Sequence, residues 1–314
     1  MNFLQILKIV APVFILVGAG ALFRKLRWMS QEGDTSLLKL GVNVLLPALI
    51  ADTVLDNPLL TKAGDLGFPP LIGFSLITAS MGVVALMLAP LRLPPETNGA
   101  GIITAGVQNF GYMVIPLVEA LYDRETLGVL FLHNLGVEVA MWSVGIWVLA
   151  RNQGGPVWKR LINIPTLAIL SSCLLNLFHA NSWMPLVLRK ALHMLGQAAI
   201  PLAILLTGAT MYDQMRQATR EQPRYKALSI AMLARMAVLP LLILAVARWV
   251  PMAKALQNVL VMQAAMPSAL MPVVLCRHHS ADSRFSVHII LFSSALGLFT
   301  IPLWIRFGME FVAR

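Results

Sequence analysis

Charged side chains are scarce in this sequence. Asp, Glu, Lys and Arg make up 12% of its 314 residues, whereas they make up about a quarter of a typical soluble domain. Hydrophobic residues account for 58%. This composition excludes an ordinary soluble domain and predicts a multi-pass membrane protein that lies in the lipid bilayer.

Cysteine and the common catalytic motifs are lacking as well. The two cysteines, Cys173 and Cys276, fall in apolar stretches and form no CxxC spacing, which argues against a disulfide or a cysteine-based metal site. The sequence contains no HExxH, no GxSxG and no GxxxxGK[ST], the motifs of zinc proteases, serine hydrolases and ATP-binding proteins. We therefore expect no enzyme activity and no cofactor, and we predict secondary transport or facilitated diffusion.

Basic residues outnumber acidic ones, and the formal net charge is +10. They are spread over several short loops, so we expect no nucleic-acid partner. Arg24, Lys25 and Arg27 follow the first apolar stretch, whereas a secretory signal carries its charge before it, so this stretch is predicted to be a retained helix. The excess of Lys and Arg on one side predicts outward N- and C-termini and a cytoplasmic central loop, in the plasma membrane or, in a bacterium, the inner membrane.

The apolar residues form ten stretches of the length that crosses a membrane, which is about 20 residues for a helix. The stretch at 162–179 is the shortest. We predict an all-α membrane protein with ten transmembrane helices near 3–23, 37–55, 67–90, 98–121, 126–149, 162–179, 190–211, 225–248, 254–276 and 285–306.

A polar loop at 151–160 separates five predicted helices, in 1–150, from five others, in 161–314. An odd number of crossings makes the second half enter the membrane with the opposite orientation, as in transporters built from inverted repeats. Four landmarks recur in order at a slowly changing offset. They pair Pro12 with Pro165, Pro47 with Pro201, Pro116 with Pro272, and Trp147 with Trp304.

Two of the apolar stretches contain helix-breaking residues at corresponding places, the fourth and the ninth helix. The fourth includes QNFGYMVIPL, at 108–117, and the ninth includes QAAMPSALMPVVL, at 263–275. Proline removes a backbone donor and obstructs the preceding turn, and free polar backbone at membrane depth is tolerated only beside a protein-lined cavity. We predict two broken helices that cross near the membrane midplane, where half-helix N-termini suit an anion such as a carboxylate. The alternative is that each proline only kinks a helix that faces lipid.

These two segments resemble motifs of the auxin efflux carrier family, which includes plant PIN-type carriers and bacterial permeases linked to malate and malonate. QNFGYMVIPL resembles the family's GN(T/x)(G/S)xxGxPL, and QAAMPSALMPVVL resembles its QAA(L/M)Pxxx(V/x)PxVxA. The likeness extends over the whole chain, including APVFILVGAGALFRKLRWMS in the first helix. It implies two inverted five-helix repeats with broken, crossing fourth and ninth helices, and a substrate beside the crossing. A homodimer is common in related folds.

On this resemblance Asn109 matches the substrate-contacting asparagine, and Pro116 and Pro272 match the prolines of the crossing. Gln108 and Val114 stand where the family usually has glycine, which makes this break bulkier. Backbone amides near Gly111, Tyr112 and Ser268 are expected to add to the anion site. The predicted substrate-binding residues are Asn109, Phe110, Gly111, Tyr112, Pro116, Pro267, Ser268, Pro272 and Asn43.

Other polar residues within the apolar stretches are candidates for ion or charge coupling, because ionisable groups in a bilayer are costly. Glu138 either takes up a proton or helps to select the charge of the substrate, or it forms an interior ion pair with Arg235, and we favour the pair. Asn134 lies one turn before Glu138 on the same face. His133 either relays protons or bonds between helices. Gln263 and Asn43 are either pocket donors or interhelical contacts.

The sequence thus predicts a secondary transporter that moves a small organic anion, a mono- or dicarboxylate, by alternating access. One alternative is a cation-coupled exchanger of the sodium/proton antiporter type, which requires carboxylates at the crossing. A second alternative is a membrane sensor that binds a solute without moving it.

Overall fold

A computed structural model describes residues 3–55, 57–61, 63–111, 113–149, 163–218 and 224–313. Within these ranges all regular structure is helical and no strand is present. The all-α prediction is therefore confirmed for the described part of the chain.

The helices coincide with the ten apolar stretches, with ends that differ by up to about a turn or two. Two of the stretches, the fourth and the ninth, are each split into two half-helices. We label them α1 Phe3–Lys25, α2 Gln31–Val54, α3 Ala63–Leu88, α4a Pro95–Gly106, α4b Val114–Leu121, α5 Arg124–Leu149, α6 Ile164–Leu177, α7 Leu186–Ala218, α8 Tyr225–Trp249, α9a Lys254–Ala265, α9b Met271–His278 and α10 Ser283–Ala313.

Seven of these helices are long and apolar enough to cross a membrane. They are α1, α2, α3, α5, α7, α8 and α10. The three remaining stretches are α6, with 14 residues, and the interrupted α4 and α9, whose longer halves each have 12 residues. Each of these three is shorter as a continuous helix than the about 20 residues that span the hydrocarbon.

Proline position decides whether a helix is interrupted. Pro116 and Pro272 lie in the first turns of α4b and α9b, where a missing N–H leaves no helical hydrogen bond unmade. Pro12 and Pro201, in contrast, lie inside the continuous helices α1 and α7. Proline alone therefore does not break these helices; the breaks occur where a second segment can bond to the freed backbone.

Three of the long helices contain a π-helical turn, at Gly41–Leu45 in α2, Met141–Gly145 in α5 and Ala234–Val238 in α8. Such a turn inserts an extra residue. One extra residue rotates the remainder of a helix by about 100°, since an α-helix has 3.6 residues per turn. Residues on either side of a π-turn therefore do not keep the face that a regular 3.6-residue period assigns to them.

The helices pack into two groups. The four-helix group consists of α1, α2, α6 and α7, and the six-helix group consists of α3, α4, α5, α8, α9 and α10. The groups meet where α1 packs on α4b and α10, α2 and α6 pack on α5, and α7 packs on α10. Asp52 on α2 adds a polar link between the groups, because it pairs with Arg124 of α5 and with His193 of α7, at 2.9 Å from the His193 Nδ1.

Glycine permits the closest helix contact within each group. A Cβ on Gly208 of α7 would collide with the Val17 carbonyl of α1, and a Cβ on Gly136 of α5 would collide with the Pro70 carbonyl of α3. Small residues let membrane helices approach backbone to backbone, where dispersion contacts are densest. These two positions therefore fix the spacing of α1 against α7 and of α3 against α5.

We predict that Gly208→Ala destabilises the protein by about 1–3 kcal/mol, because the added methyl group forces two backbones apart. The measurement is thermal unfolding of the purified protein in detergent. Gly82→Ala in α3 is the matched control, since a Cβ there meets nothing within 4 Å and Ala favours a helix over Gly by about 1 kcal/mol. Equal melting temperatures for the two variants would contradict the packing role of Gly208.

Candidate functional site

The two interruptions meet and bond to each other. The segment 107–109 lies antiparallel to the segment 267–269. The Asn109 N–H donates to the Pro267 carbonyl at 2.7 Å, and the Ala269 N–H donates to the Val107 carbonyl at 3.0 Å. These bonds satisfy backbone groups that each helix loses where it is interrupted. We call residues 107–111 and 266–270 the crossing.

Gln108 and Ser268 face each other at the centre of this pairing and are each 1% exposed. The Gln108 Oε1 and the Ser268 Oγ have no hydrogen-bond partner among the described residues. A buried polar atom without a partner costs about 1–3 kcal/mol. The crossing therefore offers an acceptor and a hydroxyl group that water or a polar solute can satisfy.

A chain of side-chain amides supports the crossing from α5 and α9a. The Gln263 Nε2 donates to the Asn134 Oδ1 at 3.1 Å, and the Asn134 Nδ2 donates to the Phe110 carbonyl at 2.6 Å. Both predicted coupling residues thus act as interhelical contacts, with Asn134 holding the interrupted backbone of α4. The Gln263 Oε1 remains buried without a partner among the described residues.

Helix α10 supports the crossing from another side. The Ser268 N–H donates to the Ser293 Oγ at 3.2 Å, so this amide is not free for an anion, contrary to the prediction. Two further bonds lie along α4a. The Thr104 Oγ1, near its end, donates to the Ser286 Oγ at 2.8 Å, and the Thr97 Oγ1, near its start, donates to the Asp282 Oδ2 at 2.9 Å. These bonds fix α4a along α10.

The remaining residues of the fourth-helix motif have different environments. Asn109 is 5% exposed, and its Oδ1 accepts a long bond of 3.4 Å from the Met113 N–H. Phe110 and Gly111 are half-buried, and a Cβ on Gly111 would meet nothing within 4 Å. Open space therefore adjoins the crossing at Gly111. Tyr112 lies outside the described residues.

The predicted prolines lie at the crossing or next to it. Pro267 provides the carbonyl that accepts from Asn109, and Pro116 and Pro272 are buried in the first turns of the second half-helices. Asn43 does not join them. It is exposed, in the π-turn of α2, which packs against α6 and α7 of the four-helix group.

The predicted ion pair between Glu138 and Arg235 does not form. The Glu138 Oε2 instead accepts from the Asn163 Nδ2 at 3.2 Å and from the Thr166 Oγ1 at 3.1 Å. All three guanidinium nitrogens of Arg235 lack a hydrogen-bond partner among the described residues. Glu138 thus contacts the first turn of α6 across the boundary between the two groups, while Arg235 lies in the interior of the six-helix group.

His133 is fully buried, and its Nδ1 is 3.5 Å from the Asn134 Oδ1. Its Nε2 has no partner among the described residues. The contact with Asn134 is at the limit of a hydrogen bond. His133 therefore lies beside the amide chain that supports the crossing rather than within it.

The crossing carries no charge of its own. No charged residue occurs in the sequence between Glu96 and Glu119, or between Lys254 and Arg277. The helix ends supply partial charges instead, since the N-termini of α4b and α9b are positive and the C-termini of α4a and α9a are negative. This pattern offers no carboxylate with which to bind a cation.

Several residues that hold the site were not predicted. Ser293, Ser286 and Thr104 contact the crossing or its flanks, yet a serine or threonine in an apolar stretch is too common to indicate a contact. Asn163 was open to prediction, because it precedes Pro165 and caps α6 by accepting from the Thr166 N–H. An asparagine with a proline two residues later, at the start of an apolar stretch, is typical of a helix N-terminus.

Known proteins resemble this chain over nearly its whole length. A family model described as a membrane transport protein matches twice, over residues 5–156 and 155–305. An uncharacterized transporter of Methanothermobacter thermautotrophicus is 25% identical over 310 residues, which cover 97% of this chain and 99% of that protein. An uncharacterized transporter of Methanocaldococcus jannaschii is 23% identical over 312 residues, which cover 95% of this chain and 97% of that protein. The double match is consistent with two repeats in the chain.

We predict that Asn134→Ala and Gln263→Ala are coupled, because each removes part of the same amide chain. In a double-mutant cycle, the change in the free energy of unfolding of the double variant should differ from the sum of the two single changes by at least about 0.5 kcal/mol. Asn176→Ala is the control partner for Asn134→Ala, since Asn176 bonds to the Asn57 and Leu60 carbonyls and shares no partner with Asn134. Additive effects in the first cycle would show that the amide chain does not act as a unit.

Proposed function

The chain belongs to the auxin efflux carrier family of membrane transport proteins, and on that premise we propose that it is a secondary transporter for a small organic anion. The substrate class is a mono- or dicarboxylate. The observation that carries the proposal is the crossing, in which two interrupted helices pair through their backbones and leave buried polar side-chain atoms without partners. The chain is a multi-pass membrane protein, and we place it in the plasma membrane.

We further propose that α1 to α5 and α6 to α10 form two inverted repeats of five membrane-spanning segments. Interruptions in the fourth and ninth segments support this arrangement, as does the match of one family model to each half. The termini then lie outside and residues 151–160 lie in the cytoplasm, in accord with the distribution of Lys and Arg. The homodimer suggested by related folds stays a prediction.

Alternating access requires two bodies that move relative to each other around the substrate. The four-helix and six-helix groups are suited to this role, because the crossing and all its side-chain supports belong to the six-helix group. The substrate would then move with the six-helix group. The contacts that change would be those of α1 and α7 with α10 and of α2 and α6 with α5.

Asn109 is the residue we assign to the substrate carboxylate. Its backbone is fixed by the bond to Pro267, and it adjoins the open space at Gly111. Its Nδ2 would donate to a carboxylate oxygen, and the positive N-terminus of α4b would favour the negative charge. An exchanger of the sodium/proton type has less support, because no carboxylate occurs between Glu96 and Glu119 or between Lys254 and Arg277, the segments that contain the crossing.

We assign Glu138 to the boundary between the two groups rather than to proton uptake. Its carboxylate accepts hydrogen bonds from two residues in the first turn of α6, and no bond links it to the crossing. A glutamine at this position retains one oxygen that can accept the same bonds. Protonation of Glu138 is therefore not needed for transport in this proposal.

We predict that Asn109→Ala reduces carboxylate flux into proteoliposomes to background while the protein remains folded and inserted, because the donor to the carboxylate is lost. Thr300→Val is the control, since Thr300 is half-buried on α10, away from the crossing in sequence, and its hydroxyl donates to the Leu296 carbonyl of its own helix. Full flux in Asn109→Ala would remove the central claim. Binding without flux in the unaltered protein would favour the sensor alternative.

We also predict that Glu138→Gln leaves the pH profile of transport unchanged between about pH 5.5 and about pH 8, the range in which a proton-carrying carboxyl would be tuned to titrate. The measurement is initial flux at several pH values with internal and external pH equal. A flattened profile in Glu138→Gln would assign the proton to Glu138 and contradict its placement as a contact between groups.

A further inference from the structure

Arg235 lies in the middle of α8. The other basic residues of this helix, Lys226 and Arg248, lie near its two ends. Arg235 falls in the π-turn Ala234–Val238, which packs against α3, α4a and α10 inside the six-helix group. Its side chain is 0% exposed, and it is the largest of the fully buried side chains.

The guanidinium group of Arg235 has no partner for any of its nitrogens among the described residues. A guanidinium remains charged in proteins, and an unpaired charge in the interior of a membrane protein is strongly unfavourable. Arg248 on the same helix shows the usual solution, since it donates to the Phe311 carbonyl and lies 4.9 Å above the Phe311 ring. Arg235 is buried without a comparable carbonyl or other hydrogen-bond partner among the described residues, so the free-energy cost of burying its charge is not offset.

Arg235 lies at about the level of the crossing. It is 14 residues before Trp249, the last residue of α8 (249 − 235 = 14), and the neighbouring α9a has 12 residues before its interruption. At 1.5 Å per residue these lengths are about 21 Å and about 18 Å from the loop that joins the two helices. Ala234, next to Arg235, also belongs to the same buried apolar cluster as Val107 and Ala269 of the crossing.

Glu138, the residue predicted to pair with Arg235, does not supply a negative charge to it. Glu138 bonds to the first turn of α6, and no carboxylate occurs between Glu96 and Glu119 or between Lys254 and Arg277, the segments that contain the crossing. The six-helix group therefore holds a buried positive charge at about the level of a crossing without formal charge. A solute that brings one negative charge to this place would complete the pairing.

We propose that Arg235 provides the positive charge that selects an anionic solute at the crossing. This inference rests on the proposed function and deepens it: Asn109 positions the carboxylate, and Arg235 determines that the solute must be an anion. A planar carboxylate suits the parallel N–H donors of a guanidinium, which bind it through two oxygens. Lysine provides the charge without that geometry.

The test measures binding and stability in the same purified full-length protein. The probes are succinate and benzoate, a dicarboxylate and a monocarboxylate, with succinamide and benzamide as uncharged analogues. Binding is measured by calorimetry and by the shift of the melting temperature, for the unaltered protein and for Arg235→Met, Arg235→Gln, Arg235→Lys and Arg248→Met. Arg248→Met is the matched control, because it removes an arginine of the same helix that has partners.

We expect the unaltered protein to bind at least one carboxylate and neither amide. Arg235→Met and Arg235→Gln should weaken that binding by about 30-fold or more, the usual effect of removing one member of a buried charge pair, and Arg235→Lys should weaken it less. Without a carboxylate, Arg235→Met should melt at a higher temperature than the unaltered protein, because it removes an unpaired buried charge. Arg248→Met should melt at a lower temperature and bind the carboxylate normally.

The outcomes separate this inference from the proposed function. If the unaltered protein and the Arg235 variants bind a carboxylate equally well, the inference is overturned while the proposed function stands. If Arg235→Met lowers the melting temperature as Arg248→Met does, Arg235 is a structural contact and the inference is also overturned. If the unaltered protein binds no carboxylate, or binds the amides equally, both the proposed function and the inference are wrong.

Discussion

Two backbone hydrogen bonds, from Asn109 to Pro267 and from Ala269 to Val107, are the interaction on which the remainder of the site depends. Polar backbone groups in a membrane must be bonded within the protein, and a break in one helix leaves several without partners. A single broken helix would have to recruit side chains or water to satisfy them. Here each break provides the partners for the other, so two unfavourable features become one stable element. The prolines lie in the first turns of the second half-helices, and the pairing bonds the backbone of residues 107–109 to that of residues 267–269.

The crossing is also rigidly attached to one part of the protein. Asn134 and Gln263 hold it from α5 and α9a, and Ser293 holds it from α10. All of these belong to the six-helix group. The contacts with the four-helix group include apolar helix faces, the pair of Arg124 with Asp52, and the hydrogen bonds of Glu138 with Asn163 and Thr166. The hydrogen bonds that fix the geometry of the crossing therefore lie within one group, as the proposed motion of two bodies requires.

Hydropathy and proline spacing were sufficient to predict the helical stretches and the two breaks, because both depend on local chemistry. The face of a helix on which an individual side chain lies was not predictable, and the π-turns explain why. Asn43 was expected to be a pocket donor or an interhelical contact, but the π-turn Gly41–Leu45 lies around it and it is exposed. Arg235 also lies in a π-turn, and its expected pair with Glu138 does not form. The number of residues from a helix end predicts the depth of a side chain in the membrane. The direction in which that side chain points also depends on whether a π-turn adds an extra residue, and the apolar pattern does not indicate where π-turns occur.

The buried polar atoms of the six-helix group fall into two sets with different consequences. Atoms that are bonded, such as the Asn134 amide and the Ser293 hydroxyl, contribute to the stability of one arrangement. Atoms without partners among the described residues, at Gln108, Ser268 and Arg235, lower the stability of the protein and retain a capacity to bind a solute. The cost of an unpaired amide oxygen is small compared with that of an unpaired guanidinium. In the role proposed for Arg235, the largest local instability is also the largest source of binding free energy, and its sign favours a negative solute. Under that proposal, selectivity for charge and a loss of stability have the same physical origin.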